Sequence, residues 1–265
     1  MSRIAATFRR LQKSGEAALI PYVTVGYPSL DLTRRLVPVI ARQGADLIEL
    51  GIPFSDPLAD GATVQRASHG ALEGGVTVAD CLSVAAEARR SNEVPLLFMS
   101  YYNPIHRYGL ERFASDASTV GVDGLIIPDL PPEEAEGLKA ACEAYGIDLI
   151  FLVAPTSTDE RIKVVAESAS GFIYCVSLVG VTGARAELGD EAEALVKRVR
   201  QHTELPLVVG FGISKPEQVA EVAGMADGVV VGSALVNLLE SHQGDEALLE
   251  VSDYVRSLKD ATKRA

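Results

Sequence analysis

Short apolar runs recur along the chain, and between them lie stretches whose apolar positions return every three or four residues. The runs fall at 18–24 (ALIPYVT), 46–50 (DLIEL), 95–100 (PLLFMS), 124–128 (GLIIP), 148–153 (DLIFLV), 172–176 (FIYCV), 206–209 (PLVV) and 228–231 (GVVV). Continuous apolar strands of this length suit a parallel sheet covered on both faces. Among the intervening stretches, 30–43 sets Leu32, Leu36, Val39 and Ile40 along one side. The stretch 132–145 opens with Pro132 followed by Glu133 and Glu134, as helix N-termini prefer. Segments 158–168, 190–201, 216–223 and 245–263 read likewise, and 1–13 reads as a helix before the first strand.

Eight strands alternating with helices over this length predict an α/β fold of one domain, residues 1–265: a (β/α)8 TIM barrel. The extra N-terminal helix and extended loops after strands 2 and 6 are part of that expectation. A doubly wound open sheet is the alternative, but no G-x-G-x-x-G follows the first run. The gap 51–94 is roughly double the others and has room for a long loop and two helices. Linkers, low-complexity segments and charge blocks are lacking.

Within that gap stands ELGIPFSDPLADGATVQ (49–65). Glu49 ends an apolar run, where an unpaired acid costs several kcal/mol to desolvate. In such barrels the active site lies at the C-terminal strand ends. If the direction shared by Leu47, Glu49 and Gly51 is inward, the carboxylate enters the barrel mouth. There a raised pKa suits general acid–base work. A core acid paired to a basic group is the competing reading, but no Lys or Arg falls on any of the eight runs. Asp60, on the following loop, is placed to reach back over the strand end. Asp56 suits a tight turn on structural grounds alone.

The second half adds glycine-rich turns: GVTGA (180–184), GFGIS (210–214) and VGSA (231–234), after strands 6, 7 and 8. Backbone N–H groups there, with a helix N-terminus at Ser233, can cradle a phosphate without a basic residue. Ordinary turn glycines are the alternative reading. Lysines stand only at 13, 139, 163, 197, 215, 259 and 263, all placed off the strands, so no Schiff-base lysine is evident. His69, His106, His202 and His242 are scattered and form no metal cluster.

Composition narrows the partners. With 36 acids against 24 bases the net charge is −12, which disfavours nucleic acid and anionic membranes. Cys81, Cys142 and Cys175 have no metal spacing and read as buried reduced thiols. The opening residues lack a signal-peptide pattern, and no apolar run reaches spanning length. A cytoplasmic protein is expected.

The stretch 49–65 closely resembles the signature of the tryptophan synthase alpha subunit family. PYVTVGYP (21–28), SYYNPI (100–105), GLIIPDLPPEE (124–134), LVAPTS (152–157), VSLVGVTGAR (176–185), GFGISKPEQV (210–219) and DGVVVGSALV (227–236) resemble family segments in family order. The resemblance implies retro-aldol cleavage of indole-3-glycerol phosphate to indole and glyceraldehyde 3-phosphate. It implies Glu49 as the general acid–base and Asp60 as the carboxylate near the indole N–H. Phe98, Leu125, Ile127 and Val153, with Tyr22 and Tyr174, are the candidates for the ring pocket, core packing being the alternative for each. Gly183, Gly212, Gly232 and Ser233 match the family's phosphate positions, and Thr182 and Phe211 are further candidates for substrate binding. No cofactor or metal is implied for this chain. Pyridoxal phosphate is expected only in a partner beta subunit, which receives indole in an alpha2-beta2 heterotetramer. Residues 53–60 and the loop around 102–104 match the expected contact, so Asp56 reads equally as an interface residue. Leu178 stands where many members have Arg, and Ala62 where many have Pro; the first bears on closure of its loop. A phosphate-sugar isomerase or epimerase, a stand-alone lyase and a non-catalytic regulatory subunit are the rivals.

Overall fold

The computed structural model describes residues 2–176, 188–210 and 212–264. Eight parallel strands close into a barrel in chain order, each hydrogen-bonded to its sequence neighbours and β8 to β1. They are β1 (Ala18–Thr24), β2 (Ile48–Gly51), β3 (Leu96–Met99), β4 (Gly124–Ile126), β5 (Asp148–Val153), β6 (Ile173–Val176), β7 (Leu207–Gly210) and β8 (Gly228–Val231). Nearly every strand residue is buried, which is why the runs read as continuous rather than alternating.

Alternation nevertheless divides the strands into two layers. Ile20, Tyr22, Leu97, Ile126, Ile150, Tyr174, Val208 and Val230 form a cluster inside the barrel. Leu19, Val23, Ile48, Leu50, Phe98, Leu125, Phe151 and Val209 pack outward beneath the helices. The helix α1 (Arg3–Ser14) seals the bottom of the barrel. Its Ile4, Phe8 and Leu11 belong to the inner cluster, and Phe8 meets Phe172 with ring centroids 5.8 Å apart. Ser2 caps its start, accepting the Ala5 N–H, and Gly15 at φ 68° ends it in the left-handed conformation.

Acids brace the same end. Asp46, Asp123 and Asp227 stand just before β2, β4 and β8, and each accepts a backbone N–H of a neighbouring strand, from Leu19, Leu96 and Leu207. Each is also ion-paired: Asp46 to Lys259, Asp123 to Arg89, Asp227 to Arg200. This network is at the end opposite the catalytic rim of such barrels, so it serves stability.

The predicted insertion is a loop, 52–61, followed by α2's successors α3 (Ala62–Glu73) and α4 (Val78–Ser91); α2 itself is Leu30–Arg42. Two helices, α5 (Tyr102–Tyr108) and α6 (Leu110–Thr119), occupy a stretch for which the pattern named no helix. Pro104 and Gly109 interrupt the periodicity there, but Pro104 falls in the first turn, where its missing N–H costs nothing. The stretch 132–145 is a 3-10 turn, Pro132–Glu134, and then α7 (Glu136–Tyr145). The chain continues through α8 (Asp159–Ser168), α9 (Leu188–Arg200), α10 (Pro216–Ala223), α11 (Ser233–Ser241) and α12 (Gly244–Asp260). The extended loop expected after β6 lies outside the described residues.

Candidate active site

The site is built at the C-terminal rim. Glu49 on β2 is the register partner of Tyr22 on β1 and Leu97 on β3, both members of the inner cluster. It faces the barrel interior and is 1 % exposed. Its Oε2 is buried with no hydrogen-bond partner among the described residues. Burial, and secondarily the negative charge of Asp60, push its pKa up to about 8.

Asp60 is brought over the rim by a loop with defined anchors. Phe54 stacks on Tyr101 at 5.2 Å between ring centroids, and the Ala59 N–H donates to the Tyr101 hydroxyl at 2.9 Å. The Asp60 N–H closes a turn onto the Pro57 carbonyl at 3.0 Å, and Gln65 Nε2 holds the Asp60 carbonyl at 2.8 Å. Burial raises the Asp60 pKa to about 6, opposed by a hydrogen bond from Tyr101. Two carboxyl groups with separated pKa values can take separate roles: near neutral pH Glu49 is an acid and Asp60 an anion.

Tyr22 and Tyr174 flank them from β1 and β6. Both phenols are held far above their ordinary pKa, first by burial and then by Asp60 and Glu49, so all four groups share one electrostatic environment. Gly232 lies at the start of α11, a helix without a side-chain cap, and Ser233 beside it is exposed. A carbon added at Gly232 would be 3.5 Å from the Tyr22 ring, so this helix start adjoins the pocket. Gly212 has φ +69°, and among the described residues no atom would lie within 4 Å of a carbon added there. Such backbone favours glycine, and glycine-rich turns of this kind can present N–H groups to an anion. Thr182, Gly183 and Phe211, with Leu178, lie outside the described residues.

The ring-pocket expectation needs correction by one residue on three strands. Phe98, Leu125, Ile127 and Val153 all belong to the outer layer, facing the helices and away from Glu49. Phe98 packs on Phe113 of α6, with centroids 6.0 Å apart. The inward positions on those strands are Met99, Ile126 and Leu152. Met99 and Leu152 are only partly buried, as befits the wall of a pocket. Two further residues went unassigned: Tyr101, which anchors the Asp60 loop, and Thr24, which shares the inward face with Tyr22. A polar residue two positions from an inward tyrosine on a buried strand was the available signal for Thr24.

Asp56 does not enter the site. It is exposed, its carboxylate accepts from Ser55 Oγ at 2.7 Å, and its carbonyl accepts the Leu58 N–H at 2.9 Å. These contacts support the turn reading. Among the described residues no group of three or more His, Cys, Asp or Glu could hold a metal ion. Cys81, Cys142 and Cys175 are buried free thiols, and burial pushes Cys142 and Cys175 up to about 12.

A closed parallel barrel with a neutral acid and an anionic carboxylate at its C-terminal rim defines a barrel enzyme working by carboxylate acid–base chemistry. Comparison with known proteins makes this specific. A profile of the family described as tryptophan synthase alpha chain matches residues 8–263. The tryptophan synthase alpha chain of Roseiflexus castenholzii is 55 % identical over 260 residues, covering 98 % of this chain and all of the relative. That of Chloroflexus aggregans is 54 % identical over 265 residues, covering 100 % and 99 %. Among solved structures, tryptophan synthase of Mycobacterium tuberculosis superposes with a TM-score of 0.93 at 39 % identity, covering 100 % of this chain and 99 % of that one. The alpha subunit of Legionella pneumophila tryptophan synthase gives 0.91 at 38 %, covering 99 % and 98 %.

The chain belongs to the tryptophan synthase alpha chain family. It is a carbon–carbon lyase of tryptophan biosynthesis that cleaves indole-3-glycerol phosphate to indole and glyceraldehyde 3-phosphate.

Proposed function

We propose that Glu49 is the general acid and base of this cleavage and Asp60 the carboxylate that stabilises the cationic indole. One observation carries the reading: Glu49 is a buried acid whose Oε2 has no hydrogen-bond partner among the described residues, at the barrel mouth where Asp60 also lies. Near neutral pH Glu49 starts protonated. It delivers its proton to C3 of the indole ring, and the ring becomes an iminium-type electron sink. The Asp60 anion near the ring N–H stabilises that charge in a water-poor site. Glu49, now a carboxylate, takes the proton of the adjacent glycerol hydroxyl. The C–O bond becomes a carbonyl, the C–C bond breaks, and its electrons return to the ring. Glu49 ends protonated, as it began.

Gly232 and Ser233 on α11, with Gly212, are proposed to hold the phosphate through backbone N–H groups. Tyr22 and Tyr174, with Met99, Ile126 and Leu152, are proposed to line the pocket for the ring and the glycerol chain. Members of this family work with a beta subunit, and an alpha2-beta2 assembly with pyridoxal phosphate only in the partner is part of the proposal. The loop 52–61 supports a docking role, since Leu58 is 92 % exposed beside the rim. A cytoplasmic location accords with the described residues, where no helix is long and apolar enough to cross a membrane.

Release of indole from indole-3-glycerol phosphate, with and without a cognate beta subunit, tests the reading. Slow release strongly accelerated by the partner is expected. Fast release alone would identify a stand-alone lyase, and none in either condition a regulatory subunit. Glu49→Gln should abolish release in both conditions.

A further inference from the structure

The Tyr22 hydroxyl occupies a position that ring packing alone does not require. Tyr22 is buried on the inward face of β1, with Glu49 its direct register partner on β2. Its ring lies across that partner strand. A carbon added at Gly51 would be 2.2 Å from Tyr22 Oη and 2.6 Å from Cζ, so the phenol tip rests on Gly51. Gly51 follows Glu49 by two residues on the same face, toward the open end. The other end of the side chain touches the helix start at Gly232, where an added carbon would be 3.5 Å from Tyr22 Cβ and Cδ1. Tyr22 therefore spans the pocket from the α11 N-terminus to the rim above Glu49. A glycerol chain whose phosphate sits at Gly232 and whose reacting carbon sits at Glu49 runs alongside it.

The hydroxyl is also oriented. Thr24 Oγ–H donates to Tyr22 Oη at 3.2 Å, and Thr24 is itself 2 % exposed on the same face. A phenol oxygen that accepts from Thr24 keeps its own proton to donate. Chains of hydroxyls polarise one another, so this phenol is a better donor for being an acceptor.

We propose that the Tyr22 hydroxyl is a further catalytic group, donating a hydrogen bond to the glycerol oxygen that Glu49 deprotonates, with Thr24 as its positioning residue. The proposal rests on the reading of Glu49 as the base of that step. Tyr22 keeps its proton throughout. As the O–H proton moves to Glu49 and the C–C bond opens, the oxygen carries growing negative charge until the carbonyl forms. A donor aimed at that oxygen stabilises the transition state more than the bound substrate.

Tyr22→Phe removes one oxygen and keeps the ring, so folding is preserved and is verified by thermal unfolding. Indole release from indole-3-glycerol phosphate is measured with the chain alone and with its beta subunit. The expected result is a fall in kcat of about ten- to a hundredfold with KM changed less than about threefold. Thr24→Val should lower kcat in the same direction by a smaller factor. The double variant should be no worse than Tyr22→Phe alone, because Thr24 acts through the hydroxyl. The pH limits of activity should stay where the carboxyl groups set them. Full kcat in Tyr22→Phe, or a loss confined to KM, would overturn the proposal. A double variant whose losses multiply would overturn the role given to Thr24. Glu49→Gln separates the two readings. If it retains activity, the Glu49 assignment fails; if it is dead while Tyr22→Phe is fully active, only this proposal fails.

Discussion

Gly51 and the Tyr22 hydroxyl occupy the same corner of the barrel mouth, and only the absence of a side chain at 51 lets both exist: an added carbon would lie 2.2 Å from Oη. Glycine is required at this place for close approach. Gly51→Ala must displace a buried phenol, and overpacking of this kind costs about 1–3 kcal/mol. Reduced stability in urea unfolding and a kcat lowered at least about tenfold are expected. Tyr22→Leu in the same background removes the clash and should restore most of the stability without the activity. A Gly51→Ala protein as stable and active as the parent would refute the packing described.

Glu49 also affects stability, and the direction follows from its pKa. The folded value, about 8, lies above the ordinary 4.5, so the native state favours the protonated form. Stability from this group is fully present below pH 4.5 and is lost as pH rises through 8. Glu49→Gln removes that loss. The variant should be inactive yet more stable, by about 1–3 kcal/mol at pH 7, with the difference vanishing below pH 4. Thermal unfolding across pH checks this; a variant less stable than the parent at pH 7 would show that the carboxylate is not held at a cost.

Strand positions were legible because a two-sided parallel sheet writes itself as uninterrupted apolar runs, and all eight runs match strands within two residues. The same property hid the facing of the side chains. In PLLFMS or GLIIP every position is apolar, so nothing in the run marks which residues look inward. On β2 the polar marker is Glu49, and the phase read from it holds in the structure. On β3, β4 and β5 the inward set slipped by one residue, which moves a side chain to the opposite face. The carboxylates were legible because each breaks a local expectation, an acid ending a strand and an acid on a proline-glycine loop. The Tyr101 anchor was not, since its contacts join residues of two separate loops.

At the barrel floor, Asp123 accepts from Arg89 at 2.7 Å, Arg3 at 2.9 Å and the Leu96 N–H at 2.9 Å. Asp123→Ala removes the counter-charge of the largely buried Arg89, whose guanidinium keeps its bonds to the Asn92, Val94 and Gly121 carbonyls, and leaves the Leu96 N–H without its acceptor. A loss of about 3–5 kcal/mol is expected in urea unfolding, with indole release per folded molecule unchanged. Asp123→Asn keeps an acceptor for Leu96 and should lie between. An activity loss in the folded fraction would contradict the separation of floor from rim.

Leu58 presents an isolated large apolar side chain on the loop whose far end carries Asp60. If this loop docks the beta subunit, Leu58→Asp should weaken association by about tenfold or more, the scale of one well-packed interface residue. Its side chain makes no contribution to the carboxyl pair, so slow indole release by the isolated chain should persist. Titration calorimetry with the beta subunit measures the first, and the uncoupled assay the second. Undiminished binding would remove Leu58 from the interface.

The pair of carboxyl groups predicts a bell-shaped activity profile. If Glu49 and Asp60 act as proposed, cleavage needs Glu49 protonated and Asp60 ionised, so turnover should fall above about pH 8 and below about pH 6. The substrate phosphate also titrates near pH 6, at about the same place as Asp60. Asp60→Asn distinguishes them: any residual activity should lose the acid limb if Asp60 caused it and keep it if the phosphate did. The same substitution removes the second cause of Glu49's raised pKa, leaving burial alone. The alkaline limb should therefore move to lower pH in Asp60→Asn. An alkaline limb that stays fixed would mean the two carboxyl groups do not sense each other, and the division of roles between them would fail with it.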